Sequence, residues 1–189
     1  ASAWYQHWLG RIEDLRIHVA DFWGSSAAEV AFLPSTSAAL AMVGESVPVG
    51  SRNKVICTEL DFPTLPYQWV VKPEIELVVL ESPDGIRVDP EQFAAVVDER
   101  TLFVATSHVF FTTGYVQDIS ALAQIAHNAG AYCIIDGYQG AGQVPLKLTE
   151  TDVDFYTAGP LKWLCGGPGL AYLYVKSELI THLKPRITS

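Results

Sequence analysis

The stretch "TLFVATSHVFFTTGYVQDISALAQIAHNAGAYCIID", residues 101–136, decides the fold. Its opening, "TLFVATSHV" (101–109), is a near-continuous apolar run without alternation, the pattern of a strand buried on both faces. "DISALAQIAHNAG" (118–130) then carries apolar residues at helical spacing. It starts on an aspartate suited to cap the free amides of a first turn and closes on a glycine suited to a helix end. "AYCIID" (131–136) returns to an unbroken apolar run and reads as a second strand. Strand, helix and strand in this order predict an α/β domain on a mostly parallel sheet with flanking helices.

The alternation extends in both directions. Further strands are expected at 29–34, 54–59, 75–81, 153–158 and 170–175, and helices at 36–45, 64–72 and 90–99, the last with Pro90 in its first turn. Residues 1–27 read as an N-terminal amphipathic helix leading into the domain, and 28–189 as the domain itself. No internal repeat or linker interrupts it. The chain opens inside a helical pattern without a methionine and stops in the charged "KPRITS", so the expectation is a piece of something longer.

Composition narrows the partners. Of 189 residues 49% are hydrophobic and 17% charged, which describes a chain with a substantial core and excludes a disordered one. A net charge of −9 argues against nucleic acid or an anionic membrane as partner. No apolar run approaches the length needed to span a bilayer. Cys57, Cys133 and Cys165 have no metal-ligand spacing and read as reduced core residues, which suits a cytoplasmic protein. His7, His18, His127 and His182 lie on helical patterns and read as solvated, and no histidine spacing supports a metal.

In parallel sheets ligands sit beyond the carboxyl ends of the strands. Chain order places Ser35, Thr36 and Ser37 there, then Asp61 and Phe62, Ser107 and His108, Asp136 and Gln139, and finally Lys162. "PSTSAAL" opens a helix with small hydroxyl residues, either an ordinary cap or an anion site assisted by the helix dipole. Asp136 ends a very apolar strand, where a carboxylate is costly unless a cation faces it. Its other reading is a cap for "QGAGQ". The glycines after it break the dinucleotide fingerprint, because only Gly140 and Gly142 fit and the acidic residue stands on the wrong side of them. His108 is open to two readings, a cofactor contact or a satisfied structural histidine. Phe62 is either a ring that stacks on a ligand or a loop anchor.

Lys162, in "DFYTAGPLKWLCGGPGLAYLYV" (154–175), orders these candidates. It stands alone in an apolar, glycine-rich run where poor solvation is expected. Burial disfavours the ammonium form and leaves an amine able to form a Schiff base. A carboxylate such as Asp136 would keep a pyridine nitrogen protonated, so that the ring draws electrons. A helix start would hold a phosphate, and an aromatic ring would stack on the face.

With these residues in place the sequence resembles the class V branch of fold-type I pyridoxal-phosphate enzymes, which includes kynureninases and cysteine desulfurases. The similarity runs from about residue 28 to 175, on "FLPSTSAAL", "CTELDFPTLPYQW", "SHVFFTTGYVQDISALAQIAHNAGAYCIIDGYQGAG" and the lysine segment. The resemblance implies pyridoxal 5'-phosphate as cofactor, Lys162 as the Schiff-base lysine and catalytic base or acid, and Asp136 paired with the pyridine nitrogen. Thr36 and Ser37 would bind the phosphate, Phe62 would stack on the ring, Gln139 would reach the ring hydroxyl side, and His108 would lie at the cofactor. It also implies an amino-acid substrate, a homodimer, a segment before residue 1 and a small domain after the large one. "DFPT" and "SHVFFTTG" resemble kynureninase, since a desulfurase has a histidine at Phe62 and an asparagine at Phe111. "DGYQGAG" resembles the desulfurase pattern, since kynureninase has a histidine at Gln139 and a tyrosine at Leu161. The serine often found three positions before the lysine is here Gly159. The reading is the cofactor-binding large domain of a kynureninase-like enzyme; the alternatives are a desulfurase or selenocysteine lyase, or a non-catalytic α/β scaffold.

Overall fold

The computed structural model describes residues 2–186. Seven strands form one sheet: β1 (Val30–Leu33), β2 (Lys54–Thr58), β3 (Glu76–Leu80), β4 (Thr101–Ser107), β5 (Tyr132–Asp136), β6 (Phe155–Ala158) and β7 (Ala171–Val175). Their spatial order is β1-β7-β6-β5-β4-β2-β3. The pairs β2–β3, β2–β4, β4–β5 and β5–β6 are parallel, and β7 runs antiparallel to both β6 and β1. The reversal of β7 has a simple cause. The connection from β6 to β7 carries no helix among its turns, and a parallel return needs a crossover that this loop does not supply.

Among the described residues six α-helices accompany the sheet: α1 (Ser2–Trp23), α2 (Thr36–Ser46), α3 (Thr64–Val70), α4 (Pro90–Val96), α5 (Ile119–Asn128) and the single turn α6 (Ser177–Ile180), which the sequence reading did not anticipate. Asp118 caps α5 by accepting from the Ala121 amide at 3.0 Å. Gly130, at φ 71°, ends it in the left-handed conformation that a residue with a Cβ resists.

The strands fill two cores. Val104, Cys133 and Ile135 face Trp23, Phe93 and Leu122 on one side. Phe103 and Ile134 face Leu40, Leu65 and Trp69 on the other. Burying one such side chain contributes roughly 1.5–3 kcal/mol, so the double-faced strands carry much of the stability. Every residue of β2 and β4 is buried. The expectation of two buried faces fails for β3, which is an edge strand with Val79 46% exposed.

Three other expectations need correction. In α1 Val19, Ala20 and Trp23 are buried, whereas Trp4, Tyr5, Trp8, Leu9 and Ile12 are exposed, so its apolar residues do not form one buried stripe. Cys57 and Cys133 are core residues as read, but Cys165 is exposed. It sits in a glycine-rich turn at φ 56° rather than on a strand. His127 is half-buried rather than solvated, because Asp154 Oδ2 meets its Nε2 at 2.8 Å. That buried carboxylate also accepts from the Cys133 amide at 2.7 Å, tying α5 to the start of β6. Among the described residues no helix is long and apolar enough to cross a membrane, and no cluster of histidine, cysteine and carboxylate side chains could hold a metal.

Candidate active site

The carboxyl ends of the parallel strands open into one cleft of about 400 Å³. Its wall includes Ser35, Thr36 and Ser37 at the start of α2, Phe62 after β2, Ser107 at the end of β4, Asp136 at the end of β5, Gln139 and Lys162. These segments lie far apart in sequence, and the sheet order brings them to one edge. The turn before β7 closes the wall with Pro168, Gly169 and Leu170, which it can do because β7 runs against the others and starts where they end.

The start of α2 resolves the double reading of "PSTSAAL". Ser35 is the cap, its side chain accepting from the Ala38 amide at 3.1 Å. The amides at the very start of a helix have no partner within it, and Thr36 and Ser37, which carry them here, line the cleft at the positive end of the helix dipole. Thr36 Oγ1 is buried with no hydrogen-bond partner, an unusual and costly state for a hydroxyl. Ser37 Oγ lies 3.3 Å from Thr64 Oγ1, and both residues border the same cleft.

Asp136 is buried at the end of β5. Burial pushes its carboxyl up to about 7, against the pull of a 2.9 Å hydrogen bond from the Tyr138 amide, and the charge of Asp61 pushes it further up. Among the described residues no cation contributes to holding it ionised. Asp61 is buried too, and burial raises its carboxyl. It is heavily solvated by protein donors: Oδ2 accepts from the Thr58 amide and hydroxyl, and Oδ1 from the Thr106 hydroxyl and the Ser107 amide and hydroxyl. That network clamps the end of β2 to the end of β4 and fixes the loop that carries Phe62. Sequence order placed Asp61 at the site, and the structure makes it the support of that loop rather than part of the cleft wall.

Phe62 is 49% exposed and meets Phe111 edge to face, centroids 5.2 Å apart. Both rings line the cleft. Gln139 accepts from the Trp163 indole at 3.1 Å. Lys162 reaches the cleft wall from a turn after β6, in which the Gly166 amide donates to Pro160 O at 2.7 Å. The expected poor solvation of Lys162 is not found, since the residue is exposed. Its apolar neighbours Leu161 and Trp163 are 43% and 53% exposed, so they supply no dry surroundings for it.

His108 does not line the cleft. It is buried behind it, with Nδ1 3.1 Å from the Tyr156 hydroxyl, and burial pulls its ring down to about 4. Its backbone amide donates to Asp136 O at 2.8 Å. Of its two readings the structural one fits. One wall residue, Tyr138, was not singled out from the sequence. The available signal was its size, a large aromatic ring among the small residues of "DGYQGAG". Gly159 is explained by it: a Cβ there would lie 2.7 Å from Tyr138 Cε2 and 2.9 Å from Leu170 O, so a serine at this position would collide.

The residues fit a phosphorylated pyridine aldehyde. Thr36 Oγ1 and the start of α2 suit a phosphate, and Asp136, buried without a cation, suits a protonated ring nitrogen. Phe62 offers a face for a ring, and Lys162 places an amino group at the wall.

The sheet is a mostly parallel α/β sheet with small hydroxyl residues, a carboxylate and a lysine at its carboxyl edge. The chain belongs to the aminotransferase class-V family, whose pattern matches residues 5–189. It is 36% identical over 181 residues to the uncharacterized aminotransferase YcbU of Bacillus subtilis, covering 96% of this chain and 49% of the relative. It is 29% identical to a cysteine desulfurase of Haloferax volcanii, covering 92% and 42%. It is equally 29% identical to a kynureninase of Geobacillus thermodenitrificans, covering 89% and 42%. The chain thus spans about half the length of the curated relatives it matches. Among solved structures, the cystine C–S lyase C-DES bound to its product cysteine persulfide superposes with a TM-score of 0.92 at 19% identity, over 100% of this chain and 52% of that one. That likeness establishes the fold.

Proposed function

We propose that this chain is the cofactor-binding part of a pyridoxal-phosphate enzyme that acts on an amino acid through a Schiff base at Lys162, in the manner of kynureninase. One observation carries the reading: Thr36, Ser37, Phe62, Asp136, Gln139 and Lys162 all border a single cleft. The cofactor, when bound, supplies an electron-withdrawing ring conjugated to the substrate amine. The chain's own residues do the rest. Thr36, Ser37 and the α2 start hold the phosphate, and Asp136 holds a proton on the ring nitrogen by offering a buried carboxylate with no other cation. Phe62 keeps water from one face of the ring. Lys162, displaced by the incoming amine, takes and returns the proton at the substrate Cα. A second copy of the chain and a cytoplasmic location belong to the same reading.

The desulfurase or selenocysteine lyase reading is favoured by Gln139, where the kynureninase pattern has histidine. Phe62 and Phe111 weigh against it, because they stand where that pattern has histidine and asparagine. The test is to load the chain with pyridoxal phosphate and titrate it with kynurenine and with cysteine, following the cofactor absorbance and alanine release. A response to kynurenine that is lost in Lys162→Ala is expected. Alanine from cysteine alone selects the second reading, and no response to either amino acid selects the scaffold.

A further inference from the structure

Two loops flank the cleft, 137–144 after β5 and 159–170 after β6, and they meet at Trp163. Its indole Nε1 lies 3.1 Å from the side-chain carbonyl oxygen of Gln139. An indole N–H only donates, so chemistry alone requires the amide to turn its oxygen toward the indole. The edge of Gln139 left for the cleft therefore carries Nε2 and its N–H donors. Without a donor-only partner, an amide can rotate by half a turn at little steric cost, since its oxygen and nitrogen ends are alike in size.

The packing at the base of Trp163 supports a held position. Gly142, at φ 94°, lies against that base, and a Cβ there would come within 3.1 Å of Trp163 C and Cβ and 3.0 Å of Leu164 Cδ2. The loop after β5 thus approaches the loop after β6 as closely as its backbone allows. The side chain of Gln143 also donates to the backbone carbonyl of Gln139, which steadies the main chain beneath the amide.

We infer that Trp163 is a positioning residue: it fixes the polarity of Gln139, so that the amide donates to the cofactor's ring oxygen and does not set a carbonyl against it. The inference rests on the Schiff-base reading of Lys162 and adds to it the residue immediately after that lysine. A donor on the ring oxygen competes with the imine proton for the same lone pairs. It would lower the proton affinity of the imine that Lys162 would form, leaving it free to take the proton of an incoming ammonium group. With the amide reversed, the ring oxygen would face a carbonyl, and the imine would hold its proton more tightly.

The test uses the whole chain in two states. In the chain without cofactor, the Trp163 indole proton is assigned by its loss from the NMR spectrum of Trp163→Phe. It should move upfield in Gln139→Leu; a resonance that stays in place overturns the hydrogen bond and the inference with it. In the chain loaded with pyridoxal phosphate, the pH midpoint of the cofactor absorbance change is measured for both variants and for their combination. Loss of one hydrogen bond to a charged oxygen should raise the midpoint by about one pH unit in each single variant, with no further rise in the double variant. A merely structural tryptophan would lower the melting temperature and leave the midpoint where it was, which overturns the inference. Failure of the wild-type chain to form an adduct at Lys162 overturns instead the reading on which it rests.

Discussion

The amide of Tyr138 donates to Asp136 Oδ1 at 2.9 Å, and this is the hydrogen bond that offsets the burial of that carboxylate. One neutral donor is a modest offset for a charge at the end of a buried strand, and Asp61 adds a repelling charge. Ionising this carboxyl in the folded chain is therefore a net cost to stability.

Asp136 makes the pH dependence of folding testable. Its carboxyl lies at about 7 in the folded chain and near 3.9 in an unfolded one. A raised folded value means that the stabilising, protonated state is complete below about pH 4 and is lost as the pH climbs through about 7. Asp136→Asn removes this slope. Urea denaturation should show the Asn variant drawing ahead of wild type between pH 4 and pH 8, by on the order of 1–4 kcal/mol at the upper end. Its affinity for pyridoxal phosphate should fall at the same time. Parallel pH profiles for the two proteins would contradict the buried-charge account.

Thr36 separates cofactor binding from folding in the same way. Its Oγ1 is buried and unpartnered, so Thr36→Val discards no hydrogen bond within the chain. The variant should match or slightly exceed wild type in thermal stability, while needing roughly tenfold more pyridoxal phosphate for half-saturation, the loss expected for one hydrogen bond to a charged group. Lowered stability with unchanged cofactor affinity would place this hydroxyl in the fold and not in the site.

Gly159 tests the explanation for the missing serine. Because a Cβ there would meet Tyr138 Cε2 at 2.7 Å and Leu170 O at 2.9 Å, Gly159→Ser should cost about 1–3 kcal/mol, the usual penalty of overpacking. Shrinking the neighbour as well, in Gly159→Ser with Tyr138→Ala, should recover part of that loss. Equal denaturation midpoints for wild type and the single variant would show that the loop relaxes freely.

Much of this architecture was legible because it rests on local pattern. The unbroken apolar runs that became β2 and β4 are buried throughout, and Asp118 and Gly130 bound α5 through capping chemistry that depends on residue type alone. The reversal of β7 was not legible, because it follows from the length and lack of a helix in the preceding connection rather than from the apolar "LAYLYV" itself. The candidate site was readable as a set of strand ends, which sheet order then gathers. The exposure of Lys162 was not, since burial depends on what packs over a turn, and its apolar neighbours turn outward with it. His108 illustrates the same limit: its position at a strand end suits a ligand contact, yet its ring is spent on Tyr156. The hydrogen bond between Trp163 and Gln139 joins the loops after β5 and β6, and no sequence periodicity reports such a pairing.

The proposed hold of Lys162 on pyridoxal phosphate in this cleft is tested most directly by adding the cofactor to the folded chain, reducing with borohydride and locating the pyridoxyl group by peptide mass spectrometry. A label on Lys162 alone, lost in Lys162→Ala, is expected. Labels scattered over surface lysines such as Lys72 and Lys176, on protein that circular dichroism shows to be folded, would contradict it.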